Sequence, residues 1–257
     1  MTALLRVDKI SKHFGGLRAV DEVSLDVVQG QLVIIMGPNG SGKTTLINVI
    51  SGFYAAQGGR VEFGGSEITN WPPHRICKLG LVRTFQIPAP FKKLTVLENL
   101  LVARAGNPGE SFVRGILRSS WVRNERQGAE LAFKILRLLN LDSLWNVEAS
   151  KLSGGQTKLL EIGRALMSGA KFVLMDEPIS GLNPTLAHEV FSHILRLRRD
   201  FGMTFLFVEH RLEVALQYVD FCYVMAQGKV ISKGNASEIL KDPAVIEAYL
   251  GVDDAQS

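Results

Sequence analysis

The sequence predicts an α/β fold with a mostly parallel β-sheet. In its second half, residues 172–175, 205–208 and 221–225 are apolar runs with the length and composition of fully buried strands. Helical patterns, such as that of residues 185–198, separate these runs, and this alternation is typical of parallel β-α-β units. Residues 32–36 form a similar run near the N-terminus, which we interpret as another buried parallel strand.

Two other regions have a different character. Residues 5–7, 23–27 and 60–63 alternate apolar and polar side chains, which predicts half-exposed antiparallel strands. Residues 94–103 and 124–139 instead have the spacing of amphipathic helices. The N-terminal region is therefore expected to form an antiparallel β subdomain, and the middle of the chain a helical one.

The length of the chain allows one large α/β domain with an inserted subdomain. We expect this domain over residues 4–251, followed by a tail at 252–257. Its core would comprise residues 4–87 and 169–251, and the helical subdomain would comprise residues 88–168.

The composition is that of an ordinary globular protein, with 46% hydrophobic and 21% charged residues. The net charge of +4 neither demands nor excludes nucleic acid. Cys77 and Cys222 lie far apart in the sequence and are expected to be reduced thiols. The apolar runs are far shorter than the ~18 residues that a bilayer span needs, and the first residues lack a signal-peptide pattern. The chain is expected to be soluble and cytosolic, or held at a membrane by a partner.

The most informative segment is a glycine-rich loop between the predicted strand at residues 32–36 and an apolar helical pattern after it. Strand, loop and helix in this order are the context of a phosphate-binding loop, whereas a chance glycine turn is the alternative. Small residues let backbone N–H groups surround phosphate oxygens, and the helix N-terminus adds positive potential. We expect Lys43 to reach the β- and γ-phosphates and the Thr44 hydroxyl to bind Mg²⁺. The predicted ATP-binding residues of this loop are Gly37, Pro38, Asn39, Gly40, Ser41, Gly42, Lys43, Thr44 and Thr45.

Two carboxylates follow the predicted strand at residues 172–175. Ligands of open α/β sheets bind beyond the carboxyl ends of the strands. In a chain with a phosphate-binding loop, Asp176 is predicted to hold Mg²⁺, directly or through water. Glu177 is predicted to be the catalytic group that polarises the attacking water. Apolar runs that end in acids are common, so the pair alone would indicate little.

A third motif consists of Leu152, Ser153, Gly154, Gly155 and Gln156, directly before an amphipathic helical pattern. The glycine amides and the helix dipole would point at an anion. A serine N-cap followed by a glycine turn is the plain alternative.

Together these motifs resemble those of ABC ATPase subunits, and the resemblance runs from about Leu5 to Gly251. It implies a P-loop NTPase core with a mostly parallel sheet, the antiparallel β subdomain and the inserted helical subdomain. In that family the signature motif, residues 152–156 here, acts in trans on ATP bound to a facing subunit. ATP then joins a head-to-tail pair, and hydrolysis releases it.

The resemblance also assigns roles to residues whose local pattern is uninformative. Phe14 matches the aromatic residue that stacks on adenine, and Val20 belongs to the same nucleotide-binding segment. Gln86 matches the glutamine loop, where it would touch Mg²⁺ and relay the nucleotide state to a membrane partner. His210 matches the catalytic switch histidine that contacts the γ-phosphate. Without the resemblance, Phe14 would be a core aromatic and His210 a satisfied structural histidine.

One position departs from the family pattern. Asn183 stands where the cross-dimer loop usually ends in Asp. Its amide can still hydrogen-bond across an interface, but the substitution puts in doubt any role that needs a negative charge.

Finer features are similar to those of the larger ATPase subunit of branched-chain amino acid importers. The implied partners are ATP with Mg²⁺, a second ABC ATPase subunit in a homodimer or heterodimer, and transmembrane permease subunits, without nucleic acid. The chain would lie at the cytoplasmic side of the cell membrane. The alternative functions are lipopolysaccharide export, urea or amide uptake, and that of a non-transport ATPase of the iron–sulfur assembly type. The features that carry the similarity to the importer subunit are residues 14–20, 83–86, a basic insertion after Ala103, residues 181–184 and residues 247–251.

The basic insertion, residues 104–127, combines Gly and Ser with an excess of arginine. A solvated face is the plain interpretation, and contact with a partner or with lipid headgroups is the sharper one. Its arginines are Arg104, Arg114, Arg118, Arg123 and Arg126.

Overall fold

A computed structural model describes most of the chain. The described residues are 3–84, 90–104, 118–210 and 212–250, without the side chains of residues 118–123 and 250. They confirm the α/β class and the presence of both parallel and antiparallel strands.

The chain divides into two compact units. The first is made of Met1–Gln86, Lys171–Ser180 and Ile194–Ser257, and the second of Ile87–Ala170 and Gly181–His193. The second unit therefore includes residues 181–193, which the sequence analysis placed in the core.

Packing explains this difference. A Cβ atom built on Gly154 would lie 3.4 Å from Leu182, and one on Gly155 would lie 3.5 Å from Leu186. The ring of the buried His193 contacts the Leu138 carbonyl oxygen through Nδ1 at 3.1 Å. Residues 181–193 are thus held by side-chain contacts within the helical unit, which the local sequence pattern does not reveal.

The first unit contains two sheets. The smaller is antiparallel, with the order β2-β1-β4-β5, and the larger has the order β10-β9-β3-β8-β7-β6. Within the larger sheet, β9, β3, β8, β7 and β6 are parallel neighbours and β10 runs antiparallel to β9. The strands are β1 Ala3–Phe14, β2 Leu17–Val28, β3 Leu32–Met36, β4 Gly58–Phe63, β5 Ser66–Glu67, β6 Leu81–Thr84, β7 Phe172–Asp176, β8 Thr204–Val208, β9 Phe221–Ala226 and β10 Lys229–Gly234.

The described helices include those predicted at residues 94–103, 124–139 and 185–198. They are α1 Lys43–Ile50, α2 Pro73–Lys78, α3 Val96–Val102, α4 Arg118–Leu138, α5 Gly154–Met167, α6 Pro184–Phe201, α7 Leu212–Ala215, α8 Ala236–Ile239 and α9 Pro243–Leu250, with 3₁₀ turns at Asp142–Leu144 and Ala149–Lys151.

Both sheets of the first unit share one apolar core with helix α1. Leu5 and Val23 from the antiparallel sheet, Leu46 from α1, and Val33 and Leu174 from the larger sheet all belong to it. The alternation seen in β1 and β2 therefore marks one buried face, whereas β3, β7 and β8 are buried along their whole length.

Helices α3, α4 and α5 form the centre of the second unit. Helix α3 begins with a capping box, in which Thr95 and Glu98 satisfy each other's backbone N–H groups. Gly163 in α5 allows close packing, because a Cβ there would lie 2.9 Å from Leu100 and 3.1 Å from Leu139.

Two further expectations concern the thiols and the membrane. Cys77 and Cys222 are both free, and burial raises the pKa of Cys222 to about 11. Of the helices in the described ranges, none combines the length and the apolar character that a bilayer crossing requires.

Candidate functional site

The strand order of the larger sheet brings the predicted catalytic segments to one edge. Strands β3, β8 and β7 are consecutive parallel neighbours, so their carboxyl ends lie side by side. The glycine-rich loop follows β3 and His210 follows β8. Asp176 is the last residue of β7, and Glu177 comes directly after it. This is the edge at which open α/β sheets bind ligands.

The backbone of the loop requires glycine at two positions. Gly37 and Gly42 have φ angles of 146° and 98°. A Cβ on Gly37 would lie 2.0 Å from the Met225 carbonyl oxygen, and one on Gly42 would lie 2.1 Å from the Ala19 carbonyl oxygen. The loop is therefore packed tightly against β9 and β2, and only glycine fits these two sites.

Lys43, the first residue of α1, points back into the loop. Its ammonium donates hydrogen bonds of 2.8 Å to the carbonyl oxygens of Gly37 and Pro38, and a third of 3.3 Å to the Ser41 hydroxyl. Burial lowers the pKa of Lys43, while the negative charges of Glu177 and Asp176 oppose that effect. A buried cation is thus held at the place where a phosphate would meet the loop.

Asp176 lies at the end of β7 and is 5% exposed. Its Oδ2 accepts a hydrogen bond of 3.2 Å from Arg83 Nη2 in the neighbouring strand β6. Burial raises the pKa of this carboxyl, and the nearby charges of Arg83 and Lys43 act in the opposite direction. The two cations therefore favour the ionised form, which a metal ligand requires.

Glu177 has a backbone conformation that is unusual for a residue with a side chain. Its φ is 49°, in the left-handed region, and its N–H donates to the Val208 carbonyl oxygen at 2.8 Å. Such strain persists where the surroundings fix it, and it often marks functional sites. The carboxylate reaches His210, whose Nδ1 lies 3.4 Å from Glu177 Oε1.

The buried carboxylate of Glu209 supports the segments that carry Glu177 and His210. Glu209 is fully buried and accepts a 2.9 Å hydrogen bond from the Ile179 N–H through Oε1. Its Oε2 accepts one of 3.2 Å from the His210 N–H. Glu209 therefore connects the residues after β7 to the start of the His210 turn.

The donor atoms at this edge suit Mg²⁺. Thr44 is exposed in the first turn of α1 and offers a hydroxyl, and Asp176 offers a carboxylate. Hard oxygen ligands with several remaining water or phosphate positions are what Mg²⁺ prefers. Across the described ranges no three His, Cys, Asp or Glu side chains cluster as a metal cage would require. The residues thus fit an ion that arrives with phosphate oxygens.

The predicted adenine platform is an exposed aromatic pair. Phe14 is 45% exposed, and its ring packs edge-on against Tyr54 at 5.4 Å between centroids. The Lys12 ammonium lies 5.1 Å from the Phe14 centroid. Val20, by contrast, is completely buried, so it can support this surface from the core rather than present its side chain to a ligand.

The signature residues lie in the second unit at the start of α5. Ser153 is the N-cap of α5, and its hydroxyl accepts from the Gln156 N–H at 3.3 Å. The Gln156 side chain accepts from the Ser153 N–H at 2.9 Å, which completes a capping box. The serine cap that was the plain alternative is therefore present, and it leaves an exposed Gly154 in the first turn.

Asn183 has a structural role in its own unit. Its side-chain oxygen accepts a 2.9 Å hydrogen bond from the Leu186 N–H, as an N-cap of α6 does. An aspartate would make the same bond, so the asparagine keeps the helix start without the charge.

Other predicted features lie partly or wholly outside the described residues. Gln86 is one of them, and so are Arg114 and the side chains of Arg118 and Arg123. Within the described part of the basic insertion, Arg126 pairs with Glu130 at 3.1 Å on an exposed helix face. This contact agrees with the solvated interpretation at that residue.

Sequence reasoning missed two residues that touch the site. Arg83 contacts Asp176 across neighbouring strands. The buried hydroxyl of Tyr249 in α9 lies against the Gly37 backbone, without a hydrogen bond of good geometry among the described residues. Burial raises the pKa of Tyr249 to about 12. Both lie in stretches that the sequence analysis used for the family resemblance, residues 83–86 and 247–251, but neither was assigned to the site.

Comparison with known families covers most of the chain. Residues 20–180 match a family model described as ABC transporter. Residues 229–255 match one described as branched-chain amino acid ATP-binding cassette transporter.

Relatives and solved structures are similar over nearly their whole length. The chain is 50% identical over 253 residues to the probable branched-chain amino acid transport ATP-binding protein LivG of Archaeoglobus fulgidus, covering 98% of this chain and 97% of that protein. It is 38% identical over 249 residues to the high-affinity branched-chain amino acid transport ATP-binding protein BraF of Pseudomonas aeruginosa, covering 96% and 98%. A crystal structure of a nucleotide-free ATP-binding cassette from an ABC transporter has 48% identity and a TM-score of 0.84, covering 96% of this chain and 99% of that one.

Proposed function

Because the chain belongs to the ABC transporter family of ATP-binding proteins, we propose that it is the ATP-hydrolysing subunit of an importer for branched-chain amino acids. The observation that carries the ATPase part is the grouping of Lys43, Asp176, Glu177 and His210 at one sheet edge. The substrate class is supported by the match of residues 229–255 and by the relatives' names.

Nucleotide binding rests on the loop and α1. The N–H groups at the start of α1 and the Lys43 ammonium supply positive potential to the β- and γ-phosphates. Lys43 now bonds to loop carbonyls, so it is already held within the loop before any phosphate enters. Phe14 offers an exposed ring for the adenine to stack on.

Hydrolysis needs a group that polarises the attacking water or accepts a proton from it. Glu177 occupies the position for this role at the end of β7, and His210 is close enough to hold its carboxylate in place. His210 would also donate toward the γ-phosphate. Mg²⁺ bound at Thr44, Asp176 and Gln86 would neutralise phosphate charge.

A second subunit completes the site in this proposal. The signature residues 152–156 of one chain would face the γ-phosphate held by another chain, so that ATP stabilises the pair. We propose a paralogous ATPase subunit as that partner and transmembrane permeases as the membrane anchor, which places the chain at the cytoplasmic side of the membrane.

Uptake of radiolabelled leucine tests the proposal. Cells that lack the chain and then receive the wild-type gene, with its partner subunits, should regain uptake. The Glu177→Gln variant should not restore it, and Glu67→Gln, which alters an exposed glutamate in β5, should restore it fully. Wild-type ATP hydrolysis without any stimulation of uptake of leucine, isoleucine or valine would contradict the assigned substrate class.

A further inference from the structure

Arg83 is a buried cation that joins three elements of the first unit. Its side chain is 7% exposed in β6. One guanidinium nitrogen, Nη2, donates to Asp176 Oδ2 at 3.2 Å, and the other, Nη1, donates to the Asn48 side-chain oxygen. Nη1 also lies 3.4 Å from the Ser51 hydroxyl. The same guanidinium thus contacts the end of β7 and the inner side of α1.

These contacts involve the elements that carry Asp176 and Thr44, two of the three proposed protein ligands of Mg²⁺. Asp176 is one of these ligands. Asn48 lies four residues after Thr44, another of these ligands, and residues four apart share one face of a helix. A single side chain therefore fixes the strand end and the helix on which the two oxygen donors sit.

The contact with Asp176 uses one of its two oxygens. Oδ2 accepts from Arg83, whereas Oδ1 accepts no hydrogen bond from any residue in the described ranges. A carboxylate held through one oxygen cannot rotate freely, and its second oxygen keeps a fixed direction. Outer partners of this kind orient metal-ligating carboxylates in many sites.

We propose that Arg83 is a positioning residue for Mg²⁺: it holds Asp176 through Oδ2 and α1 through Asn48, so that Asp176 Oδ1 and Thr44 are directed at the ion that enters with the nucleotide. The planar fork of arginine is required, because a lysine ammonium cannot reach the carboxylate and the α1 oxygens with the same geometry. This inference rests on the proposed nucleotide site.

Two other roles for the same contact make different predictions. If Arg83 competed with Mg²⁺ for the Asp176 carboxylate, it would weaken Mg²⁺ binding. Replacing Arg83 would then lower the Mg²⁺ requirement. A purely structural ion pair would affect nucleotide binding equally with and without Mg²⁺. Positioning predicts a higher Mg²⁺ requirement with metal-free nucleotide binding preserved.

The test is ADP binding by the full chain, measured by calorimetry in EDTA and across a MgCl₂ titration. The variants are Arg83→Met, Arg83→Lys and Asn48→Ala. The control is Arg198→Met, which breaks a half-buried ion pair with Asp220 elsewhere in the unit. We expect both Arg83 variants to need roughly tenfold or more Mg²⁺ for half-maximal enhancement of ADP binding. Asn48→Ala should give a smaller shift in the same direction, and Arg198→Met none.

Three results would overturn the proposal: an unchanged Mg²⁺ requirement, a lower one, or an equal loss of ADP affinity in EDTA and in MgCl₂. Thermal unfolding without nucleotide verifies that each variant is folded, and Arg83→Lys and Asn48→Ala decide the question if Arg83→Met does not fold. A wild-type protein whose ADP binding is indifferent to Mg²⁺ would instead contradict the proposed function itself.

Discussion

His210 and Glu177 form a direct contact between the ends of two neighbouring strands, with 3.4 Å between His210 Nδ1 and Glu177 Oε1. The carboxylate is the more enclosed of the two, since its side chain is 23% exposed and that of His210 is 50% exposed. The more exposed histidine therefore contacts a largely enclosed carboxylate, which is the proposed catalytic group.

This contact predicts that the two residues act as one unit in hydrolysis. Glu177→Gln and His210→Ala should each lower turnover by about 10²-fold, as loss of a general base or of its orienting partner does. The double variant should lose little more than the stronger single variant, because residues that act together are not additive. The rate of phosphate release measures the turnover of all three variants. A loss in the double variant equal to the product of the two single losses, about 10⁴-fold, would show that the residues act independently.

Lys43→Ala should abolish detectable ATP binding. It should also destabilise the nucleotide-free protein by ~1–3 kcal/mol, because the loop carbonyls lose charged hydrogen bonds. Lys229→Ala, which removes an exposed partner of Asp21, should cost only about 0–1 kcal/mol. Calorimetric ATP titration and denaturant unfolding provide the two measurements. Retained ATP affinity in Lys43→Ala would remove the ammonium from the phosphate site.

Phe14→Ala should weaken binding of ATP and GTP alike by roughly 1–3 kcal/mol, the range for stacking of a base on an aromatic ring. The matched control is Phe201→Ala, an exposed aromatic at the end of α6 with a similar exposed fraction, 41% against 45%. Calorimetry with both nucleotides decides the matter. If nucleotide affinity is the same in both variants, adenine stacks elsewhere.

Alanine substitutions at two loop glycines distinguish the cost of steric overlap from the cost of backbone strain. Gly42→Ala places a Cβ 2.1 Å from a backbone oxygen, whereas Gly40, with a φ of 77°, has open space around that position. Gly40→Ala should therefore lower the free energy of unfolding by only ~1–2 kcal/mol from its left-handed conformation. Gly42→Ala should cost about 2–5 kcal/mol, because overpacking adds to the strain. Equal losses would mean that the loop moves away from Ala19 without cost.

Much of the fold could be predicted because its signals are local. Strands β3, β7 and β8 are continuous apolar runs, and the glycine loop fills a short connection after the first of them. The strand-end carboxylates were identifiable for the same reason, since a buried strand gives their position directly.

The remaining features depend on contacts between residues far apart in the sequence. Arg83 meets Asp176 across 93 positions, and an arginine in a four-residue strand carries no sign of its partner. The place of residues 181–193 in the helical unit depends on how Leu182 and Leu186 pack. Val20 matched a motif by position, but its side chain belongs to the core.

Pairing should depend on a second kind of subunit. Light scattering on Glu177→Gln with saturating MgATP should find a monomer when the chain is alone and a pair when the paralogous ATPase subunit is added. The matched control is Glu177→Gln that also carries Lys43→Ala, which should not pair because the ATP that joins the subunits is missing. A tight homodimer of the isolated chain would argue for a self-pairing system such as lipopolysaccharide export.

The most direct test of the central claim is the rate of Mg²⁺-dependent phosphate release by the chain assembled with the proposed partner ATPase subunit and permeases. The wild-type complex should hydrolyse ATP, and the Glu177→Gln complex should bind ATP normally while releasing phosphate at least ~10²-fold more slowly. Near wild-type phosphate release by the Glu177→Gln complex, with the partner's own site inactivated, would contradict the account of Glu177 as the catalytic base.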